Sequence, residues 1–92
     1  MFAVVWRLRV PEGGTVEQGR RLLNGEVLGR VKQGPGFVTG YWLAPAATRE
    51  ALSVVIYRDE PLVLAAPERV RSAVPERVQL LDVKVREVTA SA

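Results

Sequence analysis

A chain of 92 residues with no cysteine and no histidine cannot build disulfides, thiolate metal sites, a Ser-His-Asp triad or histidine-ligated zinc or haem. Its formal net charge is +3, but the basic residues are scattered, with no run longer than Arg20-Arg21. A nucleic-acid footprint clusters on one face instead, so no nucleic-acid partner is expected.

Residues 2–10 alternate, with Phe2, Val4, Trp6, Leu8 and Val10 on one side and Ala3, Val5, Arg7 and Arg9 on the other. Period two with β-branched and aromatic residues predicts a strand, which Pro11 and the Gly13-Gly14 pair end. Thr15 with Gln18 three residues on reads as a capping box. Apolar residues at Val16, Leu22, Leu23, Val27, Leu28 and Val31 give the helix after it one stripe. Gly34-Pro35-Gly36 closes that helix. Strands are predicted at 37–44 and 51–58, joined as a hairpin by a loop over 44–48. Asp59 reads as an N-cap, with Pro61 in the first turn. The helix over 60–74 either kinks at Pro67 or splits there into 60–66 and 67–74; Pro75 closes it. The last strand, 78–89, is about twice the usual length.

This order, β-α-β-β-α-β over one domain spanning 1–92, predicts an α+β fold of the ferredoxin-like, split βαβ kind. Its two helices lie on one face of a four-stranded antiparallel sheet. Alternation places Val4, Leu8, Phe37, Leu52, Val54, Ile56, Leu81, Val83 and Val85 under the helices. It leaves Val5, Arg7, Arg9, Val38, Gly40, Trp42, Val55, Tyr57, Leu80, Asp82, Lys84 and Arg86 on the open face. This sorting assumes no β-bulge. An open face with that much apolar surface needs a cover, and the simplest is a second copy about a two-fold axis. Oligomerisation is also how a small cysteine-free chain gains stability. Hydrophobic residues make up 48% of the chain, yet no apolar run approaches the ~20 residues that span a bilayer. The N-terminus alternates rather than forming a signal peptide. The expected protein is therefore cytoplasmic, with no membrane partner.

The Gly34-Pro35-Gly36-Phe37 lead into the second strand, the aromatic pair Tyr41-Trp42 and the third-strand ending Tyr57-Arg58-Asp59-Glu60 resemble the dimeric α/β-barrel superfamily. That group holds antibiotic-biosynthesis-type monooxygenases and stress-responsive barrel proteins. The resemblance implies a homodimer whose sheets close into a barrel, with pockets between sheet and helices, and with strand 78–89 as an arm across the dimer. It brings no cofactor. Haem-degrading members carry an Asn, Trp and His set, and this chain has no His to hold iron. Cofactor-free oxygenases of the group surround a phenolic substrate with Trp, Tyr, Asn and Arg; Trp42, Tyr57, Asn24 and Arg7 supply those residue types here.

Each of these four has a plainer alternative. Trp42 is either interface packing or a pocket wall that stacks on a flat substrate. Tyr57 is either a strand-end ring with a wet hydroxyl or a substrate-orienting group. Arg7, with Arg9, either pairs with Asp82 or Glu87 across neighbouring strands or anchors an anionic oxygen. Asn24 is either an exposed helix residue or lines a cavity under the helix. No spacing of acidic residues suggests a metal cage. The expected function is a homodimeric barrel protein of unassigned activity that binds a small apolar or aromatic ligand. The alternative is a cofactor-independent monooxygenase acting on a phenolic or polyketide-like substrate.

Overall fold

Strand β1, Phe2–Arg9, runs through the middle of the sheet and is paired along both edges. A computed structural model describes residues 1–45, 48–74 and 78–92. After β1 come helix α1 (Val16–Leu22), a π-helical turn (Leu23–Val27), α2 (Leu28–Lys32), β2 (Phe37–Leu43), β3 (Glu50–Tyr57), α3 (Glu60–Leu64), α4 (Ala66–Ala73) and β4 (Gln79–Glu87). The fold is α+β. Its four strands are antiparallel in the order β2-β3-β1-β4.

Local chemistry sets the helix boundaries. Gln18 N–H donates to Thr15 Oγ1 at 3.1 Å, and Thr15 N–H donates to Gln18 Oε1 at 3.0 Å. The capping box is therefore complete and satisfies two backbone donors at the start of α1. Asp59 occupies the N-cap of α3 without a side-chain cap bond, and Pro61 sits in the first turn. The chain breaks between α3 and α4 at Ala65, so Pro67 falls in the first turn of α4, where its missing N–H has no helical partner to lose. The helix splits, one residue earlier than the proline alone suggests. The predicted stop at Pro75 and the middle of the 44–48 loop lie outside the described residues.

The core lies between the sheet and the helices. Val4, Val55 and Val63 are fully buried, with Trp6, Tyr57 and Ala66 beside them, and Val31 of α2 and Val70 of α4 pack against this cluster. Both helical segments therefore cover the same face of the sheet.

Register corrects the face assignment made by alternation. Val4 stands opposite Val55, and Phe2 opposite Tyr57. Directly paired residues point to the same side, so Val55 and Tyr57 face the helices with Val4. Leu52, Val54 and Ile56 face the open side, not the core. On β2 the pairing shifts between Phe37 and Thr39. This irregularity brings Phe37, Gly40 and Trp42 to the helix side and sends Thr39, Tyr41 and Leu43 to the other. On β4 the shift falls opposite Arg7 and Leu8, with Leu81 as the extra residue, so Leu80 rather than Leu81 joins Val83 and Val85 over the core. Gly40, Trp42, Val55, Tyr57 and Leu80 thus leave the open face to which alternation assigned them.

What remains on the open side has two halves. Tyr41, Leu43, Leu52, Val54, Ile56 and Val5 form an apolar half along β2, β3 and β1. Arg7, Arg9, Asp82, Lys84 and Arg86 form a charged half toward β4. Strand β4 is paired with β1 over its whole length, and Val88 N–H continues the ladder to Met1 carbonyl at 2.9 Å. The length of the last strand is thus used within the chain. No helix among the described residues is long and apolar enough to cross a membrane.

Candidate functional site

Between the first helical segment and the sheet lies a cavity of about 960 Å³. That is the size of a small-molecule site. Its floor is the helix side of the sheet, with Trp6, Trp42, Ser53 and Tyr57. Its roof is the α1–α2 segment, where Leu23, Val27 and Val31 point their apolar stripe at the floor.

Trp42 is held in place by its own strand. A Cβ on Gly40 would come within 2.7 Å of Trp42 Cη2 and 2.8 Å of Cζ3. The indole therefore folds back over Gly40, and only a residue without a side chain leaves it room. Its ring meets Trp6 edge-to-face, with centroids 6.5 Å apart at 73°, an arrangement that matches the ring quadrupoles. Trp42 Nε1 is buried and has no hydrogen-bond partner among the described residues. A buried donor left unpaired costs about 1–3 kcal/mol, so the seat of this indole carries an energetic cost that its ring packing has to offset.

Tyr57 is 7% exposed. Phe37 packs against it edge-to-face at 6.5 Å and 83°. The Arg69 guanidinium lies 5.9 Å from the Tyr57 ring centroid, within cation–π range. Asn24 sits in the π-helical turn and lines the cavity from above. The turn is marked by Leu28 N–H bonding to the Leu23 carbonyl, five residues back. Single π turns of this kind recur at functional sites.

Three of the four residues singled out by type, Trp42, Tyr57 and Asn24, therefore share one cavity. Arg7 does not join them. It projects from the opposite face of the sheet, where Nη2 and Nε donate to Asp82 Oδ2 at 2.7 and 3.0 Å and Nη1 lies 3.5 Å from Glu50. Arg9 lies 3.5 Å from the same Glu50. Cross-strand pairing is thus what engages both arginines. The hydrogen bond from Arg7 holds the Asp82 carboxyl below its ordinary range, and the same bond raises the Arg7 guanidinium.

Sequence reasoning missed Arg69 and Ser53. Ser53 is 2% exposed and lies opposite Trp6 in the pairing. Nothing in the local pattern around Arg69 marks it, because its approach to Tyr57 depends on how α4 docks. Among the described residues no cluster of acidic side chains could hold a metal ion. No family model matches the chain, and no curated protein matches it at a significant level.

Proposed function

We propose that the chain is a homodimeric, ferredoxin-like α/β-barrel protein that binds a small apolar or aromatic molecule between its sheet and its first helical segment. The observation that carries the reading is the cavity of about 960 Å³ walled by Trp6, Trp42 and Tyr57. The strand order β2-β3-β1-β4 with antiparallel pairing supports the ferredoxin-like description. The apolar half of the open face supports the dimer: Tyr41 and Leu43 are 60% and 49% exposed beside Leu52, Val54 and Ile56. A second copy placed there by a two-fold axis would cover this strip with its own.

Titration calorimetry with naphthalene-type compounds tests the ligand. Saturable binding that Trp42→Ala weakens is expected, and no binding by any flat aromatic compound sinks the reading. Sedimentation at low micromolar concentration tests the dimer; a monomer of 10.1 kDa removes that part.

A second reading is favoured by the meeting of Trp42, Tyr57 and Asn24 in one cavity. It is a cofactor-independent monooxygenase acting on a phenolic, polyketide-like substrate. In such a step the substrate supplies all the electrons, one oxygen atom of O₂ enters the ring and the other leaves as water. Arg7 has no part in it. Oxygen uptake with anthrone-like phenols, compared between the native chain and Trp42→Phe, decides between catalysis and binding alone.

A further inference from the structure

The cavity is long for its volume. Along the floor, Ala51, Ser53 and Tyr57 of β3 line it. From Ala51 to Tyr57 the strand spans about 20 Å, at ~3.3 Å per residue. Along the roof, Val16 of α1 and Val31 of α2 both line it. From Val16 to Val31 the segment spans about 22 Å, at ~1.5 Å per residue. Floor and roof agree, and about 960 Å³ spread over that length leaves a bore of about 50 Å².

The roof also keeps its apolar stripe uncovered. No residue of α1 or α2 is buried, whereas Val63 of α3 and Ala66 of α4 are 0% and 2% exposed. Leu22, Leu23, Val27, Leu28 and Val31 are only half-buried although all five line the cavity. Every one of them is aliphatic. Aromatic surface lies on the floor alone, at Trp6, Trp42 and Tyr57.

We infer that the cavity takes a long, uncharged aliphatic chain with one polar head, of the class of a fatty alcohol. This rests on the reading of the cavity as a ligand site and narrows its ligand. An extended hydrocarbon advances about 1.25 Å per carbon at ordinary bond lengths, so the cavity holds about 16 carbons in a row. A compact ring leaves most of the roof stripe in water, whereas a chain covers it from end to end, and apolar area removed from water drives binding. The head is uncharged because Thr15, Gln18, Asn24, Ser53 and Tyr57 line the wall with hydroxyls and amides, groups that both donate and accept. The arginines offer an anion no dedicated seat. Arg20 is held by Glu17 at 3.3 Å, Arg69 is set over the Tyr57 ring, and Arg30 is exposed, where an ion pair contributes little.

Both tryptophans of the chain line the cavity, so tryptophan emission reads its occupancy. Titration with 1-octanol, 1-decanol and 1-dodecanol should give about fourfold tighter binding per added methylene across the whole series. 1-Decanol should bind at least about tenfold tighter than 1-adamantanol, its compact counterpart, and than 2-naphthol or decanoate. Ala51→Phe closes one end of the floor and should level the series between decanol and dodecanol, with octanol little changed. A native series that levels off, or 1-adamantanol or 2-naphthol binding as tightly as decanol, overturns the chain-shaped ligand and leaves the cavity standing as a ligand site. Decanoate binding as tightly as decanol overturns the uncharged head. A folded Ala51→Phe chain with an unchanged series overturns the extended placement. No saturable binding of any compound overturns both this inference and the reading beneath it. Should circular dichroism show the variant unfolded, the comparison on the native chain decides by itself.

Discussion

The indole of Trp42 lies across Gly40, two residues back along the same strand. The contact is close enough that a single methyl group at Gly40 would reach 2.7 Å from the ring.

Gly40→Ala should therefore displace the indole from its seat against Val55 and Trp6. Overpacking of this kind costs about 1–3 kcal/mol, and a lower midpoint in urea is expected. The near-ultraviolet circular dichroism of the Trp6–Trp42 pair should collapse while the far-ultraviolet spectrum holds. An unchanged near-ultraviolet spectrum would show that the ring does not rest there.

The Arg7–Asp82 pair makes a prediction about acid. The folded Asp82 carboxyl titrates below its ordinary 3.8, so its contribution is fully present above that value. It is lost as the pH falls through the lower, folded pKa. Asp82→Asn should flatten the decline in stability below about pH 4 and leave the slope above pH 5 as it is. Urea midpoints measured across pH 2–6 for both chains check this. Equal slopes at low pH would mean that the pair does not form in solution.

Neighbouring valines on β3 distinguish the two faces. Val55 is 1% exposed beneath the helices, so Val55→Asp buries a charge without a partner and should abolish folding. Val54→Asp lies on the open side. It should leave the chain folded and, on the proposed dimer, shift it to the monomer. Circular dichroism and sedimentation together read both outcomes, and folding of the Val55 variant alone would reverse the register.

Thr15→Ala removes one half of the capping box and should cost about 1 kcal/mol. Because α1 forms the cavity roof, a weakened cap should also raise amide exchange in residues 16–20 more than in β1. Equal protection across both segments would mean that the cap does not hold the roof.

Features fixed by neighbouring residues are legible in the sequence. The Thr15–Gln18 capping box, the break near Pro67 and the inward side of β1 all depend on residues within a turn or a pleat. The faces of β3 are not legible in the same way. Leu52, Val54 and Ile56 on one parity and Val55 and Tyr57 on the other are both apolar, so alternation carries no preference. Only pairing with β1 decides. On β2 and β4 the register shifts near Val38 and Leu81 move residues between faces, and no glycine or proline marks either position. The site shows the same division. Trp42, Tyr57 and Asn24 stand out by residue type, but their meeting in one cavity depends on that register. Arg69 reaches Tyr57 through the docking of α4.

The π-helical turn keeps a phase. A wide turn holds one residue more than an α-helical turn, and each residue advances an α-helix by about 100°. In the wide turn each residue advances less, so Leu28, five residues after Leu23, stands where the fourth residue of a regular α-helix would stand. Excising Gly25 should therefore let α1 and α2 merge into one regular helix with Val31 still over the cavity. The irregularity at Leu23–Val27 thus takes up one residue of slack between the capped end of the roof and its apolar end without turning either.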